Sequence, residues 1–231
     1  FGKEGSRNQT TIDLPLPDGK LATFAVWQSS VMEKELADKY PQIKSYKGYQ
    51  IGNKSVTARF GLGPNGFHAA IKSDNGTVYI DPYTLRNQHH YMSYYTSDHI
   101  ENNLYENVLC GTKDEIPHDK KGPKWGTETR NRADKMELRL YRLALACTGE
   151  WGTVRATKEN ALAEMVTFID RANLTFESEV ALRLILIARN DELIFLDPAT
   201  DPYTSADEGL VILGQNGSVL NNRVGADAYE V

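Results

Sequence analysis

The sequence predicts an α+β unit in its first half and a partial α/β unit with a mixed sheet in its second. Three observations carry this. Short runs of alternating character, separated by glycine-bearing turns, fill the first hundred residues. One apolar stripe at helical spacing runs through residues 157–173. Two apolar runs flank that stripe, and buried strands joined by an amphipathic helix form a parallel, right-handed βαβ crossover.

Residues 1–12 are polar and unpatterned and read as a flexible arm. Pro15, Pro17 and Gly19 mark a turn, and residues 21–27 follow as a strand. Met32, Leu36 and Tyr40 fall one helical turn apart, so a short amphipathic helix is expected there, ended by Pro41. Residues 43–51, 55–60, 66–72, 77–82 and 91–95 are strand candidates. Asp74-Asn75-Gly76 is a hairpin turn, because asparagine and glycine tolerate positive φ. The result is an antiparallel meander holding one helix.

Residues 113–135 are charged, rich in turn formers and poor in aliphatics, which marks an exposed linker. Lys120, Lys121, Arg130 and Arg132 make it a target for a trypsin-like protease. Residues 137–147 (ELRLYRLALAC) and 180–188 (VALRLILIA) are the two buried strands. Between them Thr157 caps a helix whose stripe is Ala161, Leu162, Met165, Phe168, Ile169 and Ala172. Residues 193–196 and 210–213 are expected as short strands, and 215–218 as a turn.

The chain has 231 residues, 40% of them hydrophobic, enough for one large or two small cores. A formal charge of −5 and a pI near 5.6 argue against a nucleic-acid partner. No apolar run is long enough to span a bilayer. No signal peptide opens the chain, and Phe1 is not a natural start, so we expect that an upstream segment has been removed. Two cysteines are not a disulfide framework.

Several stretches together resemble a known family. Leu14-Pro15-Leu16-Pro17-Asp18-Gly19, Leu36-Ala37-Asp38-Lys39-Tyr40-Pro41, Gly66-Phe67-His68-Ala69 and Ile80-Asp81-Pro82-Tyr83 resemble the prodomain of secreted bacterial reprolysin-like (M12B-type) zinc metallopeptidases. Tyr141-Arg142-Leu143-Ala144-Leu145-Ala146-Cys147-Thr148-Gly149-Glu150, then Leu193-Ile194-Phe195 and Thr200-Asp201-Pro202-Tyr203, are similar to the start of their catalytic domain. The resemblance implies a prodomain at 13–112, the cleavable linker at 113–135, and an incomplete metzincin-like catalytic domain at 136–231. It implies a secreted or cell-envelope protein and a zinc-dependent parent enzyme acting on protein substrates. In that family His-Glu-x-x-His-x-x-Gly-x-x-His grips the metal. No such string occurs here; the histidines are His68, His89, His90, His99 and His118. The expectation is therefore a fragment, not competent in hydrolysis, whose partner is the missing C-terminal part of its own catalytic domain. The alternative is a non-catalytic binding or protease-inhibitor module.

By the same resemblance, Cys110 with Gly111 looks like a cysteine switch, a thiolate occupying zinc's open position in the latent enzyme. An idle or buried thiol is the competing reading. Cys147, at the end of an apolar run, reads as core. His89 and His90 are poorly placed to share one ion, because neighbours on a strand point to opposite faces. His68 reads as a packed histidine. Asp197, Asp201 and Asp207 offer oxygen ligands to calcium, and equally read as a solvated acidic turn. Sequons at Asn8, Asn53, Asn75, Asn173 and Asn216 carry no weight for a bacterial source.

Overall fold

The computed structural model describes residues 9–84, 88–98, 137–204 and 209–229. Seven strands form one antiparallel sheet in simple chain order: β1 (Thr10–Pro15), β2 (Leu21–Gln28), β3 (Lys44–Gln50), β4 (Asn53–Gly63), β5 (Gly66–Ser73), β6 (Gly76–Pro82) and β7 (Tyr91–Tyr95). The meander expected of the first half is thus present. β1 begins at Thr10, inside the stretch read as an arm, because Thr10 to Pro15 pair residue by residue with Val26 back to Leu21. Gly76 turns β5 into β6 at φ 112°, a conformation that side chains resist.

The two faces of the sheet have different tasks. Phe24, Phe60, Ala69, Ile71, Val78 and Ile80 are buried together on the face around which the sheet curls. Cross-strand partners share a face. Hence Arg59, Ala70, Tyr79 and Tyr94, paired in succession across β4 to β7, line the other face. That face receives a helix from the second half.

The second half contains β8 (Arg139–Leu143), α2 (Gly149–Arg155), α3 (Lys158–Glu179), β9 (Leu182–Leu186) and α4 (Gly209–Arg223); α1 (Lys34–Lys39) lies between β2 and β3. β8 and β9 are parallel, as the βαβ pattern predicts. Thr157 caps α3 as expected, its Oγ1 accepting from the Asn160 amide at 3.1 Å. Val31–Glu33 adds a third short rung beside β9: the Leu186 amide donates to the Val31 carbonyl and the Glu33 amide to the Leu186 carbonyl. The two halves share a core in which Val31, Met32, Leu36 and Ile43 meet Leu162, Val166 and Ile169. The expected boundary near 112 and the linker lie outside the described residues. The fold is mixed α+β, a curled antiparallel sheet with helices.

Three local expectations are corrected. Residues 210–213 and 215–218 are not strand and turn but parts of α4, which with the residue after it buries Val219, Leu220 and Val224 while Leu213 stays exposed. A four-residue apolar run fits strand or helix equally, and the packing of later residues decided it. Residues 193–196 are not a strand; Asn190–Leu193 is a 3-10 turn, followed by a single bridge from Ile194 to Cys147. The strand at 137–147 stops at Leu143, and Leu145 is held instead by the Asn190 side chain, which accepts from its amide at 2.8 Å and donates to its carbonyl at 3.1 Å. Gly149 starts α2, an element the sequence had not suggested. Gly149 and Gly152 are needed there, because a Cβ on either would run into the backbone of Asp197 or Phe195.

Candidate functional site

The chemistry-bearing side chains gather where α3 lies on the sheet. Asp81, on β6, is the hub. Its Oδ1 accepts from Arg171 of α3 and contacts His68 Nδ1 at 2.7 Å, and its Oδ2 accepts from the Tyr94 hydroxyl at 2.8 Å. Strand register sets this up: β5 and β7 flank β6, and all three present these residues to α3. Burial works against the charge of Asp81, but the bonds from His68, Arg171 and Tyr94 outweigh it and hold the carboxyl below its usual range. Tyr94 is pushed up to about 12 by its burial and by the neighbouring carboxylate. The Arg171 guanidinium also lies 4.1 Å over the Tyr79 ring.

A second cluster lies further along α3. Arg59, almost fully buried on β4, donates to Asp170 at 2.8 Å and also bonds Glu177. Glu177 accepts from Arg183 of β9 and lies 3.5 Å from Lys47 of β3. Burial pushes the Asp170 carboxyl up to about 7 against the pull of Arg59, and its Oδ2 is buried without a hydrogen-bond partner. The contact between sheet and helix is therefore ionic at both clusters. Further polar ties surround it: Asn65 donates to the Asn160 carbonyl at 2.7 Å, and Lys72 donates to Ser178 at 2.9 Å and Glu179 at 2.6 Å.

Beside Asp81 a cavity of about 490 Å3 opens between β5–β6 and α2–α3; His68, Val154, Arg155, Glu164, Phe168 and Arg171 are among its lining residues. Phe168, counted in the helix stripe by spacing, is 45% exposed and belongs to this wall, not to the core. Its place on the stripe is taken by Asp170 and Asn173, both buried.

The residues singled out in the sequence fall elsewhere. Cys110, Gly111, Lys120, Lys121, Arg130, Arg132 and Asp207 lie outside the described residues. Asp197 and Asp201 shape the 197–203 turn. Asp197 accepts from the Ala199 amide at 2.9 Å and the Thr200 hydroxyl at 3.0 Å, while Asp201 accepts from the Gly149 amide at 2.5 Å and the Tyr203 amide at 2.9 Å. Among the described residues no three His, Cys, Asp or Glu side chains converge as metal ligands, so the donor set found there does not fit zinc. Cys147 is a half-buried free thiol facing the Phe195 carbonyl, raised above its ordinary pKa by burial. Asn173, noted only as a sequon, is fully buried and brackets Leu184 of β9, accepting from its amide at 2.8 Å and donating to its carbonyl at 2.9 Å.

Asp81, Arg171, Arg59 and Asp170 were missed in the sequence because their partners are remote. One signal was available: Asp170 sits four residues after Val166, on the apolar stripe, where a carboxylate needs a buried cation.

Against known proteins, residues 138–222 match the model of the metallo-peptidase family M12B, reprolysin-like. No curated protein and no solved structure matches the chain.

Proposed function

We propose that this chain is the front of a secreted, zinc-dependent metalloendopeptidase precursor, in which the seven-stranded unit keeps the enzyme latent and residues from about 136 begin the catalytic domain. The observation that carries the reading is the reprolysin-like match over 138–222, the stretch that folds as a parallel strand pair spanned by α3. The sequence has no His-Glu-x-x-His string, so these residues supply scaffold and latency while hydrolysis needs ligands not contained in them. The contact between the halves is of two kinds. Arg59, Asp170, Arg171 and Glu177 can be rehydrated on separation, whereas the shared core of Val31, Met32, Leu36 and Ile43 against Leu162, Val166 and Ile169 would be exposed, so release needs more than cutting the chain. In this reading Cys110 and Gly111 form the inhibitory switch, and cleavage near Lys120, Lys121, Arg130 or Arg132 releases the prodomain.

The test uses the product of the complete gene. Limited trypsin treatment is expected to separate the two halves and to release chelator-sensitive peptide hydrolysis. Cys110→Ala is expected to show that hydrolysis before any cleavage. A gene product that holds no zinc and stays inactive after cleavage removes the proposal. If that product instead bound and inhibited a separate peptidase, the module reading would take its place.

A further inference from the structure

Asp81 fixes the state of its neighbour. Its carboxylate contacts His68 at Nδ1, so in the neutral imidazole the proton sits on Nδ1 and the lone pair on Nε2. Among the described residues Nε2 makes no hydrogen bond to protein and is not one of the buried unsatisfied atoms, and His68 is one of the residues that line the cavity. The charges in the same wall are already matched. Arg155 donates to Glu164 through two bonds of 2.7 and 2.6 Å, and Arg171 is paired with Asp81. A charged occupant would have to compete with one of these pairs; an uncharged one would not. The remaining wall includes Phe168 and Val154, 45% and 57% exposed, which a flat apolar body would cover. The cavity of about 490 Å3 is of the size that small-molecule sites occupy.

We propose that this cavity binds an uncharged aromatic molecule of the phenol class, its hydroxyl donating to His68 Nε2 and its ring lying against Phe168 and Val154. Both halves line the cavity, so the site belongs to the uncleaved chain, and its binding test does not depend on the peptidase reading. Equilibrium dialysis of the 231-residue chain against 2-naphthol is expected to give saturable binding of one molecule. Removing the donor, with 2-methoxynaphthalene, is expected to weaken binding about tenfold, and adding a charge, with 2-naphthoate, by a similar factor. His68→Ala should bring 2-naphthol down to the affinity of 2-methoxynaphthalene without altering the latter, and Phe168→Ser should weaken both. Equal affinity for the hydroxyl and methoxy compounds overturns the proposal, as does an undiminished affinity in His68→Ala or the absence of saturation. Should His68→Ala fail to fold, the comparison of the two ligands on the unaltered protein still decides.

Discussion

Replacing Asp170 by asparagine is expected to change how the stability of this chain depends on pH. The carboxyl is buried beside Arg59 and Glu177, and burial raises its pKa from 3.8 to about 7 in the folded protein. A carboxyl whose folded pKa is raised binds its proton more tightly when folded. Its contribution to stability is therefore complete below pH 3.8 and is lost as pH rises through about 7. At roughly 1.4 kcal/mol per pKa unit the full effect is about 4 kcal/mol, more than half of which falls between pH 5 and pH 8. Glu177 and Asp81 do not blur this window. Both are depressed, so their contributions are complete above the ordinary carboxyl range and are lost only as pH falls through their lowered values. Asparagine keeps the shape, carries no charge, and leaves Arg59 its bond to Glu177. Urea unfolding followed by circular dichroism at pH 5, 6, 7 and 8 checks the idea. The unaltered protein should lose about 2 to 3 kcal/mol across that range, while Asp170→Asn should be nearly flat and the more stable of the two at pH 8. Parallel pH profiles for the two proteins would refute the reasoning, since the titrating group would then lie elsewhere.

Three other outcomes follow from the same structure. Gly152→Ala should cost more than about 3 kcal/mol or prevent folding, because its Cβ would meet the Phe195 carbonyl, whereas Gly217→Ala, with nothing within 4 Å, should stabilise α4 by about 1 kcal/mol; urea midpoints compare them. Asn173→Ala should cost about 2 to 3 kcal/mol, since it leaves both the amide and the carbonyl of Leu184 without that partner, and its thermal midpoint should fall accordingly. Cys147 should react slowly with an aromatic disulfide reagent at pH 7.5 and quickly once urea unfolds the chain, because burial raises the thiol's pKa; equal rates would place it in an open site.

The meander was legible in the sequence because its information is local. Most strands alternate, the tight hairpin turns carry glycine or asparagine, and neighbours in sequence are neighbours in the sheet. Helix α3 was legible for the same reason, from Thr157 and a 3.6-residue stripe. α4 was not. Leu210-Val211-Ile212-Leu213 followed by Gly214 and Gly217 has strand-and-turn composition, and only burial of Val219, Leu220 and Val224 favours the helix. The 3-10 turn at Asn190 was hidden too, because a side chain there does what a strand's backbone would do, bonding Leu145 across 45 residues. The ionic clusters span larger gaps: His68 and Asp81 are 13 residues from each other, but Arg171 is 90 from Asp81 and Asp170 is 111 from Arg59. No local pattern reports a pair of that separation. What the sequence does show is the oddity of each partner alone, an arginine between Ala58 and Phe60 in a strand and an aspartate on a helix's apolar stripe.

Those oddities bear on function because of where the charges stand. A helix meant to stay on its sheet is best served by aliphatic residues; buried ion pairs cost nearly as much to desolvate as they return. Here α3 presents Asp170, Arg171 and Glu177 to three strands, and β4 and β6 answer with Arg59 and Asp81. Such a contact contributes less to stability than an aliphatic one, but it demands one register, since sliding α3 by a turn would leave these five charges unmatched. Its strength also depends on pH through Asp170, whereas an aliphatic contact would not. The single register suits a sheet that must sit in one place on its helix, while the apolar core of Val31, Met32, Leu36 and Ile43 against Leu162, Val166 and Ile169 holds the two halves together; the proposed latency role requires that core to open as well.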